Sequence, residues 1–152
     1  MAGLALTGAG CLFADNSADK RVPPTQVTTT PPVQTATSTS LTTKKGETDR
    51  IRVSMPMPGA LVTRPLRIAG EVRGWYFEGS FPVRILNKDG RLIASGIATA
   101  KGDWMTDGWV PFTGTIDYPP QTPGSTGTIV FTKDNPSGLP EHDDSAELRI
   151  TF

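Results

Sequence analysis

The chain has 152 residues, enough for one domain with additional segments. Its 15 basic and 15 acidic side chains balance, so the sequence offers no basic surface and we expect no nucleic-acid partner. The single Cys excludes an intrachain disulfide and a cysteine-based zinc site. Because there is also only one His, we expect no metal or cofactor.

Residues 1–14 form an apolar, uncharged segment rich in small side chains. As a helix they would rise about 21 Å, less than the roughly 30 Å of a bilayer core, so the segment fits a signal peptide better than a transmembrane helix. The run that ends in Gly8-Ala9-Gly10-Cys11 resembles the lipobox of bacterial lipoproteins. That resemblance implies cleavage before Cys11, a lipid on this residue and an extracytoplasmic protein anchored to the cell membrane. The alternative is an ordinary signal remnant with an incidental Cys.

Residues 15–49 have a different composition. Within them, residues 23–43 contain nine Thr, four Pro and two Ser, with only three sizeable apolar side chains. Such a segment buries too little apolar surface to offset the entropy that it would lose on ordering. We therefore predict a disordered linker, which would reach on the order of 100 Å if stretched.

Residues 50–152 are predicted to form an all-β domain. Short runs with alternating apolar and polar side chains are separated by turn residues, and no stretch has a helical period with capping signals. The runs lie at residues 51–55, 66–72, 81–86, 92–100, 110–116, 127–132 and 146–152. About seven turn-linked strands predict a sandwich of two antiparallel sheets, with a small β-barrel as the alternative.

The core of the sandwich is expected at the inward positions of these strands, and packing alone must stabilise it because no Cys pair joins the sheets. The predicted core residues are Val53, Leu66, Ile68, Val72, Val83, Ile85, Leu92, Ile93, Ile97, Val110, Phe112, Ile116, Ile129, Phe131, Leu148 and Ile150. Either Leu92 or Ile93 must point outward in a regular strand.

Several phrases of this domain coincide with one family. They include Pro56-x-Pro58-Gly59, Trp75-Tyr76-Phe77-Glu78-Gly79, Gly102-Asp103-Trp104-Met105-Thr106 and Asn135-Pro136-Ser137-Gly138-Leu139. Together they resemble the immunoglobulin-like domain of bacterial spore germination proteins, over about residues 51–152. The resemblance implies an immunoglobulin-like sandwich in a cell-envelope protein linked to sporulation or germination, without catalytic residues.

Four of the eleven aromatic side chains lie between Trp75 and Phe81. In one interpretation this segment is a recognition surface that grips a partner or stacks on sugar rings. Its candidate binding residues are Trp75, Tyr76, Phe77 and Glu78. In the other interpretation, Trp75, Phe77 and Phe81 alternate inward and close one end of the sandwich, which leaves Tyr76 facing outward.

A second aromatic loop at residues 102–109 contains the candidate binding residues Trp104 and Trp109. If it lies near the first segment, the two form a patch of Trp and Tyr that marks an interaction site. The alternative is that Trp104 packs over the edge of a sheet and that the Asp residues of the loop serve turns.

Five loop carboxylates raise the question of calcium, a hard cation that takes about six to eight oxygen ligands. They are Asp103, Asp107, Glu141, Asp143 and Asp144. Their spacing matches no calcium loop, so we interpret them as solvated loop residues. His142 is the only candidate base for a serine nucleophile, and no Gly-x-Ser-x-Gly elbow is present. The sequence therefore predicts that the protein is not an enzyme.

Three functions follow from these observations, in descending order of support. The first is a protein-binding or assembly module of the cell envelope, presented from a lipid anchor on a flexible linker. The second is a module that binds peptidoglycan or another wall polysaccharide through its aromatic side chains. The third is a hydrolase, for which no pair of carboxylates stands out.

Overall fold

The computed structural model describes residues 37–152, which form eight β-strands and one short 3₁₀ turn. The strands are β1 (Thr39–Leu41), β2 (Ile51–Met55), β3 (Leu66–Val72), β4 (Ser80–Asn87), β5 (Leu92–Ala100), β6 (Val110–Ile116), β7 (Thr126–Thr132) and β8 (Ser145–Thr151). The 3₁₀ turn is Pro140–His142. The predicted signal segment, Cys11 and most of the predicted linker lie outside the described residues.

Strands β2 to β8 confirm the all-β prediction, because each of the seven predicted runs agrees with one strand to within one residue at either end. The reason is visible in the burial of the side chains. Along β4, for example, Phe81, Val83 and Ile85 are buried while Pro82 and Arg84 are exposed. Side chains that alternate between the two faces of a strand produce this pattern in the sequence.

Strand β1 lies within the range that composition predicts as linker. It pairs antiparallel with β2, with Leu41 opposite Ile51, and the Leu41 side chain is buried in the core. Two residues further on, Thr43 is buried and bridges to Ala146 at the start of β8. The sheet therefore begins before residue 50, and this segment contacts strands on both sides of the core.

All strands are antiparallel to their neighbours in the order β1-β2-β3-β6-β5-β4-β7-β8. The halves β1-β2-β3-β6 and β5-β4-β7-β8 are joined by a short ladder, in which Thr99 pairs with Thr113 and Ala100 with Phe112. Since buried side chains of both halves form one cluster, the halves face each other as the layers of a sandwich. The layers that we predicted as two sheets are thus one sheet, continuous through this corner.

A column of aromatic rings runs through the core. Phe81 meets Trp75 edge-on with ring centroids 5.8 Å apart, and it meets Phe112 edge-on at 5.1 Å. Phe112 continues the column to Phe131 at 5.9 Å. Edge-to-face pairs of this kind add stabilisation beyond the buried area alone.

Strand β5 departs from the predicted core. Of the pair Leu92 and Ile93, one of which had to point outward, Leu92 is exposed and Ile93 is half-buried against the core. Ile97 is exposed, so the prediction of a core position is wrong for Ile97. The inward positions near the corner hold small residues instead. At Gly96, a Cβ atom would lie 2.6 Å from Cγ1 of Ile116, so the close approach of β6 leaves no room for a side chain.

The strand directions define two ends of the sandwich. At one end, here the aromatic end, lie the loops 42–50, 73–79, 101–109 and 133–144. At the other, here the aliphatic end, lie the loops 56–65, 88–91 and 117–125. Thr39 pairs with Val53 and β1 runs towards the aromatic end, so the chain enters β1 from the aliphatic end. Phe152 follows β8 at that same end, where its N–H donates to the carbonyl oxygen of Ser125.

Candidate binding surface at the aromatic end

The loop between β3 and β4 turns sharply at two glycines. Gly74 and Gly79 have φ angles of 64° and 70°, which residues with a Cβ rarely adopt. Between them, Trp75 turns inward and is buried against Phe81, and its carbonyl oxygen accepts a hydrogen bond from the N–H of Asp134. Trp75 therefore belongs to the core and not to an exposed binding surface.

Tyr76 lies half-buried beside Trp75, and its ring centroid is 5.5 Å from that of Phe81. Its hydroxyl donates to the carbonyl oxygen of Pro111 over 3.4 Å, at the long limit of a hydrogen bond. Burial raises the pKa of the Tyr76 hydroxyl above its ordinary value. The side chain thus stays neutral and links the loop before β4 to strand β6.

We expect both tyrosines of the folded protein to ionise at higher pH than a free tyrosine, whose pKa is about 10. Burial raises the pKa of both Tyr76 and Tyr118. Because ionisation then favours the unfolded chain, stability is intact below about pH 10 and falls as the pH rises further. A spectroscopic titration of phenolate absorbance, run beside circular dichroism, checks this. Phenolate that forms near pH 10 while the β signal persists would contradict it.

Phe77 and Glu78 form the tip of the loop and point into solvent. The Phe77 side chain is 51% exposed, unusual for a large aromatic ring with core positions on both sides of it in the sequence. Strict alternation predicts Phe77 inward and Tyr76 outward. The positive φ angles at Gly74 and Gly79 break that alternation, so Phe77 becomes the most exposed ring of the segment.

The loop 101–109 lies directly against this tip. Its Trp104 packs on Gly79 so closely that a Cβ atom there would lie 2.9 Å from Cδ1 of the indole. The neighbouring Met105 is 76% exposed, and its N–H donates to the carboxylate of Asp103 in a local turn. The two aromatic segments of the sequence are thus adjacent, as one interpretation of the sequence required.

Trp109 ends this loop and has a different environment. The guanidinium carbon of Arg52 lies 3.9 Å from the centroid of the indole, and that of Arg73 lies 5.4 Å from it. Arg73 also forms an ion pair with Asp49. Cation–π contacts of this kind hold the indole in place while leaving it half-exposed.

These side chains define the aromatic surface, which consists of Tyr76, Phe77, Trp104, Met105 and Trp109. Three exposed carboxylates lie in the same two loops, at Glu78, Asp103 and Asp107, together with the exposed cation Lys101. Arg52 and Arg73 add positive charge at Trp109. The tip of the aromatic surface is therefore apolar with a polar rim of both charges. An apolar centre within a polar rim is the anatomy of a protein-binding surface.

The third loop at this end, residues 133–144, stabilises the fold. The buried carboxylate of Asp144 accepts hydrogen bonds from the backbone N–H groups of Lys45 and Ser145. The carboxylate of Asp143 accepts one from the side-chain amide of Asn135. Both acids thus fix loop geometry. Within residues 37–152, no group of three or more His, Cys, Asp or Glu side chains lies close enough together to hold a metal ion.

Sequence reasoning singled out four of the five side chains of the aromatic surface and did not propose Met105, although it lies between the two candidate tryptophans. It also missed Arg52 and Arg73. No local signal identifies these arginines, because only the register of β2, β3 and β6 brings them to Trp109.

Comparison with known proteins agrees with this architecture. Residues 50–139, more than half of the chain, match the immunoglobulin-like domain of bacterial spore germination. The chain belongs to this family, as its motifs indicated. The matched range contains both loops of the aromatic surface and strands β2 to β7. No curated protein and no solved structure matches the chain.

Proposed function

We propose that the protein is a non-catalytic binding module of the bacterial cell envelope, related to germination, which docks a protein partner through its aromatic surface. The observation that carries the proposal is the exposure of Phe77 and Met105 in two loops that Trp104 and Gly79 bring together. A patch of exposed large apolar side chains marks an interaction site, and aromatic residues dominate the energetics of protein interfaces.

A protein partner fits this surface better than a wall polysaccharide. Sugar rings stack on flat, open indole faces, whereas Trp104 lies against Gly79 and Trp109 is occupied by Arg52. The exposed centre instead combines the Phe77 ring with the flexible Met105 side chain, which adapts to an irregular apolar surface. A polysaccharide-binding module is the second candidate, supported by the presence of two half-exposed tryptophans.

The predicted lipid at Cys11 and the linker after it complete the proposal. A chain anchored there enters the sandwich from the aliphatic end, opposite the aromatic surface, and the long linker leaves that surface free to turn towards a partner. This arrangement suits a protein that offers a docking surface to partners away from the membrane. The family is a class of immunoglobulin-like domains, which are generally non-catalytic.

Substituting both Phe77 and Met105 by Ala should abolish retention of the partner. The full chain, immobilised through an added tag, is offered solubilised envelope proteins and, separately, protease-treated peptidoglycan. We expect the wild type to retain a specific protein, and the double variant to retain at least about tenfold less of it, because these two side chains supply the apolar contact.

The matched control is the double variant Leu92→Ala, Ile97→Ala. These side chains are 58% and 60% exposed, comparable to Phe77, but they lie on β5 outside the aromatic surface. The control should retain the partner as the wild type does. Equal losses in both double variants would exclude the aromatic surface as the docking site. Retention on peptidoglycan alone would favour the second candidate.

A further inference from the structure

We infer that the aliphatic end of the sandwich contacts an anionic lipid bilayer. This inference rests on the proposed membrane anchor and adds a second surface to the proposed function. Three large apolar side chains, those of Met55, Met57 and Leu61, are exposed within seven residues of the chain. Leu61 is 72% exposed, the most exposed aliphatic residue that the described part of the chain holds at this end.

The backbone around Leu61 is held firmly, so its exposure is not a fraying loop. The N–H of Val62 donates to the carbonyl oxygen of Thr151, and the N–H of Thr151 donates to that of Ala60. Two residues before Leu61, the N–H of Gly59 donates to the carbonyl oxygen of Arg149. Hydrogen bonds to β8 on both sides thus fix the Leu61 side chain in an outward position.

Open cavities flank this side chain. One, of about 430 Å³, is lined by Met55, Leu61 and Arg67 among others. The other, of about 460 Å³, lies between Leu61 and Phe152. The Leu61 side chain therefore projects between these two cavities. Exposed apolar side chains beside cations are the combination that binds the interface of an anionic bilayer.

The charge at this end is net positive, because its loops and the adjoining start of β3 hold four cations against two carboxylates: Arg64, Arg67, Lys88 and Arg91 against Asp89 and Asp117. Residues 55–67 contain two cations, Arg64 and Arg67, both exposed, and no acidic side chain. The nearest carboxylate in the next loop, Asp117, accepts a hydrogen bond from the backbone N–H of Tyr118. Each cation near an anionic lipid surface adds to the attraction. The loops of the aromatic end hold nine acidic against six basic side chains, so the same surface would repel that end.

The net positive charge favours an anionic bilayer over a protein as the occupant. The chain also enters β1 from this end, so the predicted linker from Cys11 joins the sandwich here. The exposed apolar side chains with cations beside them add a second membrane signal to a lipid anchor. The described residues contain no helix long and apolar enough to cross a bilayer.

An environment-sensitive fluorophore placed at Leu61 tests the inference directly. The full chain carries Cys11→Ser, and a single Cys is introduced as Leu61→Cys or as Phe77→Cys and labelled with a nitrobenzoxadiazole dye. Vesicles of phosphatidylcholine with or without phosphatidylglycerol are added. We expect blue-shifted, brighter emission from the label at 61 with phosphatidylglycerol vesicles only, and no change from the label at 77.

A charge-reversed pair tests the cations. Arg64→Glu with Arg67→Glu should weaken the response of the label at 61 at least about tenfold, because two attractions become two repulsions. The matched control, Arg84→Glu with Lys101→Glu, changes the net charge equally at exposed positions elsewhere and should respond as the parent chain does. Circular dichroism confirms that each labelled variant is folded.

Equal responses from the labels at 61 and 77, no response from either, or a response that the first charge-reversed pair leaves intact would each overturn the inference. So would a response of the label at 61 to envelope proteins but not to vesicles, which would assign this end to a protein. Capture through Phe77 and Met105 tests the proposed function separately.

Discussion

Gly70→Ala should lower the free energy of unfolding by about 3 kcal/mol or more. Gly70 lies in the middle of β3 between β2 and β6. A Cβ atom at this position would lie 2.1 Å from the carbonyl oxygen of Arg52 and 2.8 Å from the Phe112 ring. The first of these neighbours is backbone, which cannot move without breaking the ladder between β2 and β3. The substitution therefore separates strands rather than repacking a side chain.

Chemical denaturation of the two proteins, followed by circular dichroism, measures the difference. Gly108→Ala is the matched control, because only the Thr106 hydroxyl lies near its missing Cβ, at 3.5 Å, and its φ angle is ordinary. It should change the stability by no more than about 0.5 kcal/mol. A small effect of Gly70→Ala would mean that β2 and β3 separate easily, which would contradict the close contact between Gly70 and the Arg52 carbonyl oxygen.

Phe81→Ala should cost about 3–5 kcal/mol, because it empties the centre of the aromatic column. Phe81 is buried and its ring contacts those of Trp75, Tyr76 and Phe112. Removing it leaves a cavity that these three large rings cannot fill without leaving their rotamers. The variant is expected to unfold at markedly lower temperature or denaturant concentration than the wild type.

Phe77→Ala, four residues away, should affect partner binding and leave the stability of the fold nearly unchanged. Its ring is half-exposed, so we expect a change in stability within about 0.5 kcal/mol and a loss of partner retention. Thermal unfolding and capture, measured on both variants, separate the two roles. If Phe77→Ala were as destabilising as Phe81→Ala, its ring would be part of the core and the aromatic surface would lose its centre.

Much of the fold could be predicted because alternation dominates its strands. Ile51 and Val53 in β2, or Val83 and Ile85 in β4, alternate with polar or exposed neighbours, and burial follows the same period. The turn at residues 87–90 was recognisable from Asn87 and Gly90. There the side-chain oxygen of Asn87 accepts hydrogen bonds from the N–H groups of Asp89 and Arg91. These are local effects that a sequence records directly.

Strand β1 could not be predicted, because the features that order it are not local. It has one sizeable apolar side chain, Leu41, among threonines and serines. Its partners in the sheet are β2 and, through Thr43, the beginning of β8 more than a hundred residues later. Composition alone makes such a segment look like linker, since the burial that stabilises it is supplied by strands elsewhere in the chain.

The aromatic segment was ambiguous for a similar reason. Aromatic residues at positions 75, 77 and 81 fit the two-residue period of a strand. The sequence does not show whether the chain is extended there or turned. The positive φ angles of Gly74 and Gly79 decide the question, and they depend on how the loop closes over β4. The adjacency of Trp104 to Gly79 likewise arises from the sheet order, in which β5 lies between β4 and β6.

The entry of the chain from the aliphatic end has a mechanical consequence. When the segment before β1 is held at one end and the aromatic surface is held by a partner at the other, tension runs parallel to the strands. The hydrogen bonds of an antiparallel ladder are perpendicular to the strands, so such a pull loads them together in shear instead of opening them one after another. The three residue pairs between β1 and β2, with the bridge from Thr43 to Ala146, would then bear the load as a unit. Under tension, the strength of the whole attachment is set by the shortest strand of the sheet.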